Sequence, residues 1–241
     1  MGIKFKNRFV CPTPLWLRGR LNNFNRLYAY PVIPEPLFNS EFQILDSGAY
    51  GLSKFKGKMS PEYIDKLGEH YLKYKTDKNI FCVAPDKGGD YKTTIKQLEY
   101  YLSKFEYNVS PVLQFSGHDF NWIELKYQIE YYKDNLPNIE FIFFAKRGAY
   151  SFELKEVEIV KKIDYIFEKL NCNWIHFFAA GWGKNEVKEF SKFSKNISID
   201  TINYYQSAMV FNKNLSDWGW GCSDKIKNAL YNVELANKLM L

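Results

Sequence analysis

The chain is predicted to be an α/β protein of the (β/α)8, TIM-like barrel type, one domain over residues 1–241. Three observations predict it. Short apolar runs alternate with helical stretches along most of the 241 residues. The runs are continuously apolar rather than alternating, as in parallel strands covered by helices. Three of them also end in a carboxylate: Asp46 after Phe42-Gln43-Ile44-Leu45, Asp86 after Ile80-Phe81-Cys82-Val83-Ala84-Pro85, and Asp200 after Ile197-Ser198-Ile199. The C-terminal strand ends of a barrel meet at one mouth, so residues distant in sequence converge there.

The first forty residues read as irregular, because Pro12, Pro14, Pro31, Pro34 and Pro36 interrupt any long element. They are expected to cover one end of the barrel. Arg18, Arg20 and Arg26 among aromatics leave a nucleic-acid-contacting arm as the alternative. A strand over 42–46 follows, and Ser60-Pro61-Glu62 then opens a helix to about 75, with Ser60 as cap and Pro61 at the first position. Strand 79–84 precedes a helix from about 91 to 105, and strand 109–115 precedes a helix near 121–134. Strand 140–145 leads through Lys146-Arg147-Gly148 to a helix near 152–169. Strand 173–179 leads through Ala180-Gly181-Trp182-Gly183 to a short helix near 184–193. Strand 196–200 and a helix over about 223–239 complete the alternation. That makes six clear strands, with residues 5–10 or 26–33 and 217–221 as sources of two more. A doubly wound open sheet is the second choice, but its Gly-rich first loop is missing.

Composition bounds the function classes. Apolar and charged fractions of 46% and 25% suit a globular domain, and 18 Tyr, 20 Phe and 6 Trp are expected chiefly to fill core. A net charge of +6 suits a polyanion, although lysines scattered over helices are equally a solvated surface. Cys11, Cys82, Cys172 and Cys222 are far apart, and His70, His118 and His176 add no ligand spacing, which argues against a zinc site or a disulfide framework. No apolar stretch is long enough to span a membrane and no signal peptide is evident, so a reducing cytoplasm is expected.

Each candidate for chemistry has a plainer reading. A single Asp just past a strand commonly caps the next helix. Three such positions weaken that account, since capping does not demand Asp over Ser, Thr or Asn. Within Asp46-Ser47-Gly48-Ala49-Tyr50, Gly48 lets the backbone approach a ligand and Tyr50 offers an aromatic face. Gln114 ends the third clear strand, where it bonds neighbouring backbone or reads a heteroatom ring. Arg147 holds a phosphate or is solvated, and Trp182 stacks on a base or packs on a rim. His118 reads as a loop residue rather than a base. Two carboxylates with an amide and an aromatic platform suit glycosyl chemistry: one attacks the anomeric carbon, the other manages the leaving group's proton.

The order of these motifs resembles the tRNA-guanine transglycosylase superfamily. Asp46-Ser47-Gly48-Ala49-Tyr50 resembles its D-S-G-G-[FY] motif, and Met59-Ser60-Pro61-Glu62 the T-P-E that opens its next helix. Val83-Ala84-Pro85-Asp86 and Gln114 fall where that family reads the base. Ala180-Gly181-Trp182-Gly183-Lys184 resembles its M-G-V-G-[KT] loop, and Ser198-Ile199-Asp200-Thr201 falls where its nucleophile sits. The resemblance spans about residues 42–205 and implies a barrel that exchanges guanine in nucleic acid for a 7-deazaguanine, with no metal or organic cofactor.

On that resemblance Asp200 is the nucleophile and Asp46 the general acid/base. Asp86 and Gln114 bind the base edge, Tyr50 stacks on it, and Ser47, Lys146 and Gly181 complete the pocket. Arg147, Lys184 and Trp182 contact nucleic acid, and Lys54, Lys56 and Lys58 extend the basic face. The target nucleotide has to leave its stack. Departures matter: no zinc subdomain follows Asp200, Ala49 replaces a glycine, and Ala145-Lys146-Arg147-Gly148 replaces a Gly-Gly-Leu strand end. These resemble the compact, often virus-encoded members that act on DNA, with tRNA as the alternative partner. A hydrolytic glycosidase or N-glycosidase using Asp200 and Asp46, and a basic binding module without activity, are the remaining alternatives.

Overall fold

The structure is a computed structural model. It describes residues 8–13, 17, 19–36, 40–54, 57–106, 109–118, 120–145, 156–178, 196–200 and 225–240. Eight strands appear among them: β1 (Arg8–Pro12), β2 (Asn25–Ala29), β3 (Gln43–Asp46), β4 (Ile80–Cys82), β5 (Val112–Leu113), β6 (Phe141–Phe144), β7 (Trp174–Phe178) and β8 (Ile197–Asp200). The helices are α1 (Ala49–Lys54), α2 (Pro61–Leu72), α3 (Tyr91–Lys104), α4 (Trp122–Asn135), α5 (Glu156–Leu170) and α6 (Lys225–Met240). The strands form one eight-stranded sheet in the order β4-β3-β2-β1-β8-β7-β6-β5. The pairings β1–β2, β1–β8, β3–β4 and β5–β6 are parallel. This is an α/β fold on a parallel sheet, as the continuous apolar runs predict. No helix among the described residues is long and apolar enough to cross a membrane.

The contacts divide the chain into two compact units. One gathers Tyr28–Pro34 and Phe42–Ile175. In it Ser60 caps α2 by accepting from the Tyr63 amide at 3.3 Å, with Pro61 in the first turn, as expected from the sequence. Asp90 caps α3, taking the Thr93 amide at 3.0 Å and its hydroxyl at 2.6 Å, and Asn121 caps α4. Leu125, Gln128, Ile129 and Tyr132 make the buried stripe of α4 at helical spacing. Aromatic rings fill one end of the unit. Phe42 just before β3, Phe81 in β4, Phe141 opening β6 and Trp174 opening β7 form one cluster, with Phe81 and Phe141 centroids 4.2 Å apart. All four come from the N-terminal ends of strands, opposite the ends that carry the carboxylates. Fully buried tyrosines tie helices to strands. Tyr71 of α2 lies 3.1 and 2.9 Å from the Leu45 and Val83 carbonyls, and Tyr132 of α4 donates to the Val112 carbonyl at 2.8 Å.

The other unit runs to Leu27, adds Glu35–Glu41 and resumes at His176. It holds β1, paired with both β2 and β8, and α6, which packs against β1. The N-terminal forty residues, expected as an irregular cover with 5–10 or 26–33 as a source of a further strand, supply two strands of the sheet at those places. Pro12 is the last residue of β1 and Pro31 follows β2, positions where a missing amide costs the ladder nothing. Arg26 is not an arm residue either. Its side chain is fully buried, with Nη1 3.2 Å from Glu35 Oε2 and Nη2 donating to the Pro36 carbonyl at 2.9 Å. The strand expected near 217–221 and the helix near 184–193 lie outside the described residues.

Candidate active site

Five sequence candidates lie in the unit built around α2–α5. Asp46 is the last residue of β3 and half-buried; its backbone carbonyl accepts from the Tyr30 amide at 3.0 Å. Ser47, fully buried, is next in the chain. Its hydroxyl is 2.7 Å from Asp86 Oδ1 and accepts from the Ala49 amide at 3.3 Å. Asp86 Oδ2 accepts from Gln114 Nε2 at 2.8 Å, and Gln114 Oε1 accepts from the Gly89 amide at 3.3 Å. Ser47, Asp86 and Gln114, which follow three different strands, thus share one buried hydrogen-bonded network. Burial raises the Asp86 carboxyl above its ordinary range, and the two donors oppose that only in part.

Gln114 is held by a residue that sequence reasoning missed. Fully buried Gln128 of α4 accepts from the Gln114 amide at 3.0 Å and donates to the Gln114 carbonyl at 2.7 Å. It replaces a strand partner just past the end of β5. A polar residue on the apolar stripe of α4 was the available signal. Tyr63 of α2 is a second missed contributor: its hydroxyl donates to the Ser47 carbonyl at 2.9 Å. Burial first, and then the charge of Asp46, pushes that phenol far above its ordinary value, so it stays a donor. Gly48 has φ +79°, and a Cβ there would lie 2.6 Å from the Tyr63 hydroxyl. What the glycine lets in is this tyrosine, where the sequence reading expected a ligand. Tyr50 stands on α1 with 71% of its surface exposed, leaving its ring open to stacking.

The remaining described candidate, Asp200, lies in the other unit. It ends β8 and is 5% exposed. His176 of β7 is fully buried and sits with Nε2 3.2 Å from Asp200 Oδ1 and Nδ1 2.9 Å from Ser198 Oγ. Ser198 and Asp200 are two apart on one strand, so they point to the same face and one imidazole on the adjacent strand reaches both. Sequence reasoning assigned His176 no role, because the pairing spans 24 residues and has no local spacing. Lys146, Arg147, Gly181, Trp182 and Lys184 lie outside the described residues. Among the described residues no group of three His, Cys, Asp or Glu is arranged to hold a metal ion.

No family model matches the chain, and no curated protein does. Among solved structures it is similar to a GH128 (subgroup I) endo-β-1,3-glucanase from Amycolatopsis mediterranei, a mutant in complex with laminaripentaose. The identity is 8%, the TM-score 0.50, and the match covers 95% of this chain and 98% of the glucanase chain. The likeness is one of fold.

This finding corrects the expected activity. Exchange of guanine for a 7-deazaguanine rested on an ordered set of short motifs, whereas the similar solved structure is a glycoside hydrolase. Local folding accounts for part of that motif set. Ser60-Pro61 is a helix cap, and Gly48 is a positive-φ turn packed on Tyr63. Both would be present whatever chemistry the fold carries.

Proposed function

We propose that the protein is a hydrolytic glycosidase on a closed (β/α)8 barrel, with Asp200 as nucleophile and Asp46 as general acid/base. Asp200 carries the reading: a buried carboxylate ending a parallel strand and engaged by an imidazole. Barrel enzymes draw catalytic groups from the C-terminal strand ends, the position of Asp46 and Asp200 alike. Two features support closure. Val83 and Ser110 form a parallel bridge, joining the segments of β4 and β5 that stand at the two ends of the strand order. Phe42 and Phe81 also meet Phe141 and Trp174, which belong to distant strands, as they do when a sheet curls around its own core.

The chemistry is a double displacement. The Asp200 carboxylate bonds to the anomeric carbon as the glycosidic bond breaks, and the leaving group departs with its electron pair and a proton from Asp46. Asp46 then takes a proton from water, whose oxygen displaces Asp200. One glycoside and one water become a free sugar and a free aglycone.

An N-glycoside of a heteroaromatic base is the substrate class we favour. The Ser47–Asp86–Gln114 network places a carboxyl and an amide edge together, the groups that read ring nitrogens and exocyclic substituents. The net charge of +6 is consistent with presentation of that base in nucleic acid. A β-glucan is the second reading, favoured by the fold likeness. The test offers purified protein labelled DNA, tRNA, free nucleosides and laminaripentaose, with Asp200→Asn as control. Base release lost in the variant supports the N-glycosidase; sugar release from the glucan supports the second reading. Hydrolysis of none of them, or activity retained by Asp200→Asn, overturns the proposal.

A further inference from the structure

We infer that His176 and Ser198 together position Asp200: the Ser198 hydroxyl donates to His176 Nδ1, which keeps the ring proton on Nε2, where it is donated to Asp200 Oδ1. The inference deepens the glycosidase reading and rests on it only for the role of Asp200 as nucleophile. Its geometry stands by itself. An ionised carboxylate is an acceptor only, so the 3.2 Å contact to Asp200 needs its hydrogen on Nε2. A neutral imidazole that donates from Nε2 must accept at Nδ1, and the group found there at 2.9 Å is a hydroxyl, which can donate. A carbonyl in that place would have selected the opposite tautomer and turned a lone pair toward Asp200.

Burial makes the arrangement specific. His176 and Ser198 are fully buried and Asp200 is 5% exposed, so a wrong tautomer has little water to turn to. The sequence supplies the spacing with one residue of each kind. Ser198 and Asp200 occupy alternate positions of β8, while Ile197 and Ile199 take the other face. His176 on the neighbouring β7 reaches between the two polar groups. The consequence is a carboxylate whose plane is set by a charge-assisted hydrogen bond before any sugar arrives. His176 is a positioning residue, and Ser198 acts only through it.

The experiment has a structural and a kinetic arm. In the full-length 15N-labelled protein, long-range proton–nitrogen correlation reports which nitrogen of His176 carries the proton, the signal being assigned by its loss in His176→Gln. The expected pattern is the Nε2–H tautomer in the wild type and a mixture of tautomers in Ser198→Ala. An Nδ1–H ring or an imidazolium in the wild type, or no change in Ser198→Ala, overturns the inference whatever the enzyme does.

On the glycoside that the wild type hydrolyses, His176→Leu lowers kcat roughly ten- to a hundredfold with KM near wild type, the scale of one hydrogen bond to a charged group. His176→Gln, which keeps an N–H donor near the position of Nε2, recovers most of the loss. Full kcat in His176→Leu beside an inactive Asp200→Asn sinks the inference and leaves the glycosidase standing. Full activity in Asp200→Asn sinks the glycosidase reading and leaves the tautomer result to decide the geometry. Should His176→Leu fail to fold, Ser198→Ala carries both arms, with the same direction of effect on kcat.

Discussion

Replacing Gln128 by leucine tests whether a helix side chain stands in for a missing strand at the end of β5. The native amide makes three contacts: it accepts from the Gln114 amide at 3.0 Å and donates to the Gln114 and Glu124 carbonyls at 2.7 and 3.1 Å. Leucine makes none of them. The Glu124 carbonyl retains its place in the helix, so the loss falls on the buried amide and carbonyl of Gln114. An unsatisfied buried polar group costs about 1–3 kcal/mol, giving about 2–6 kcal/mol for the pair. The added apolar burial of leucine returns about 1 kcal/mol. The expected net loss is about 1–5 kcal/mol, measured by urea unfolding at constant m-value.

Two controls locate the effect. Gln128→Glu keeps an acceptor for the Gln114 amide but sets lone pairs against two carbonyls, so it is as damaging as leucine near neutral pH. Hydrogen exchange at the Gln114 amide, slow in the wild type, should accelerate in the leucine variant. A loss under about 0.5 kcal/mol, within the usual range for a neutral substitution, with that amide still protected, would refute the reasoning.

Asp86→Asn should change the pH dependence of stability. Burial raises the folded-state carboxyl, so between its ordinary range and that higher value the folded protein holds a proton the unfolded chain has released. Wild-type stability therefore falls as pH rises through this window. The asparagine variant lacks the fall because its amide does not titrate, and Ser47 can turn its hydroxyl to accept from the new N–H. Unfolding free energies at about pH 4 and about pH 8 should move in the variant's favour at the higher pH, and a parallel pair of curves would count against the assignment. Gly68→Ala places a Cβ 2.3 Å from the Phe105 ring, an overpacking cost of about 1–3 kcal/mol against about 1 kcal/mol of helix propensity gained. Chemical denaturation should show a net loss of about 1 kcal/mol that a second change, Phe105→Leu, relieves; a more stable single variant contradicts it. Cys11 and Cys172 are buried thiols, Cys172 pushed up to about 12 and Cys11 raised by burial against the pull of Arg26. Peptide-mapped iodoacetamide labelling should find both protected in the native protein and reactive in urea, and rapid native labelling of either would contradict their placement.

Sequence periodicity located β3, β4, β6, β7 and β8 to within a residue or two, because a strand buried on both faces is written as an uninterrupted apolar run. Helix starts were equally plain at Ser60, where the capping side chain and the proline lie next to each other. The prolines misled. Pro12 and Pro31 were read as breakers of the first forty residues, whereas each marks the end of a strand. α1 escaped notice because Gly51 sits inside its single stretch. Asp86 and Gln114 were picked out one at a time from their strand ends, and the structure joins them directly, with Ser47 on the other oxygen of Asp86. Their supports were hidden for a different reason: His176 with Asp200, and Gln128 with Gln114, meet across elements and leave no spacing to read.

Tyr71 and Tyr132 bear on how such a fold diversifies. Each buried hydroxyl grips strand carbonyls from a helix: Leu45 and Val83 on one side, Val112 on the other. The grip ends before Ser47, Asp86 and Gln114 and does not involve the loops beyond them. Beyond Ser47, Asp86 and Gln114 those loops can lengthen, shorten or change composition without loosening the strands that precede them. Transplanting a foreign loop should therefore be tolerated just beyond these strand ends, while phenylalanine at either tyrosine would slacken the frame and leave every loop intact. Part of the aromatic wealth of this chain thus buys freedom to vary at the rim.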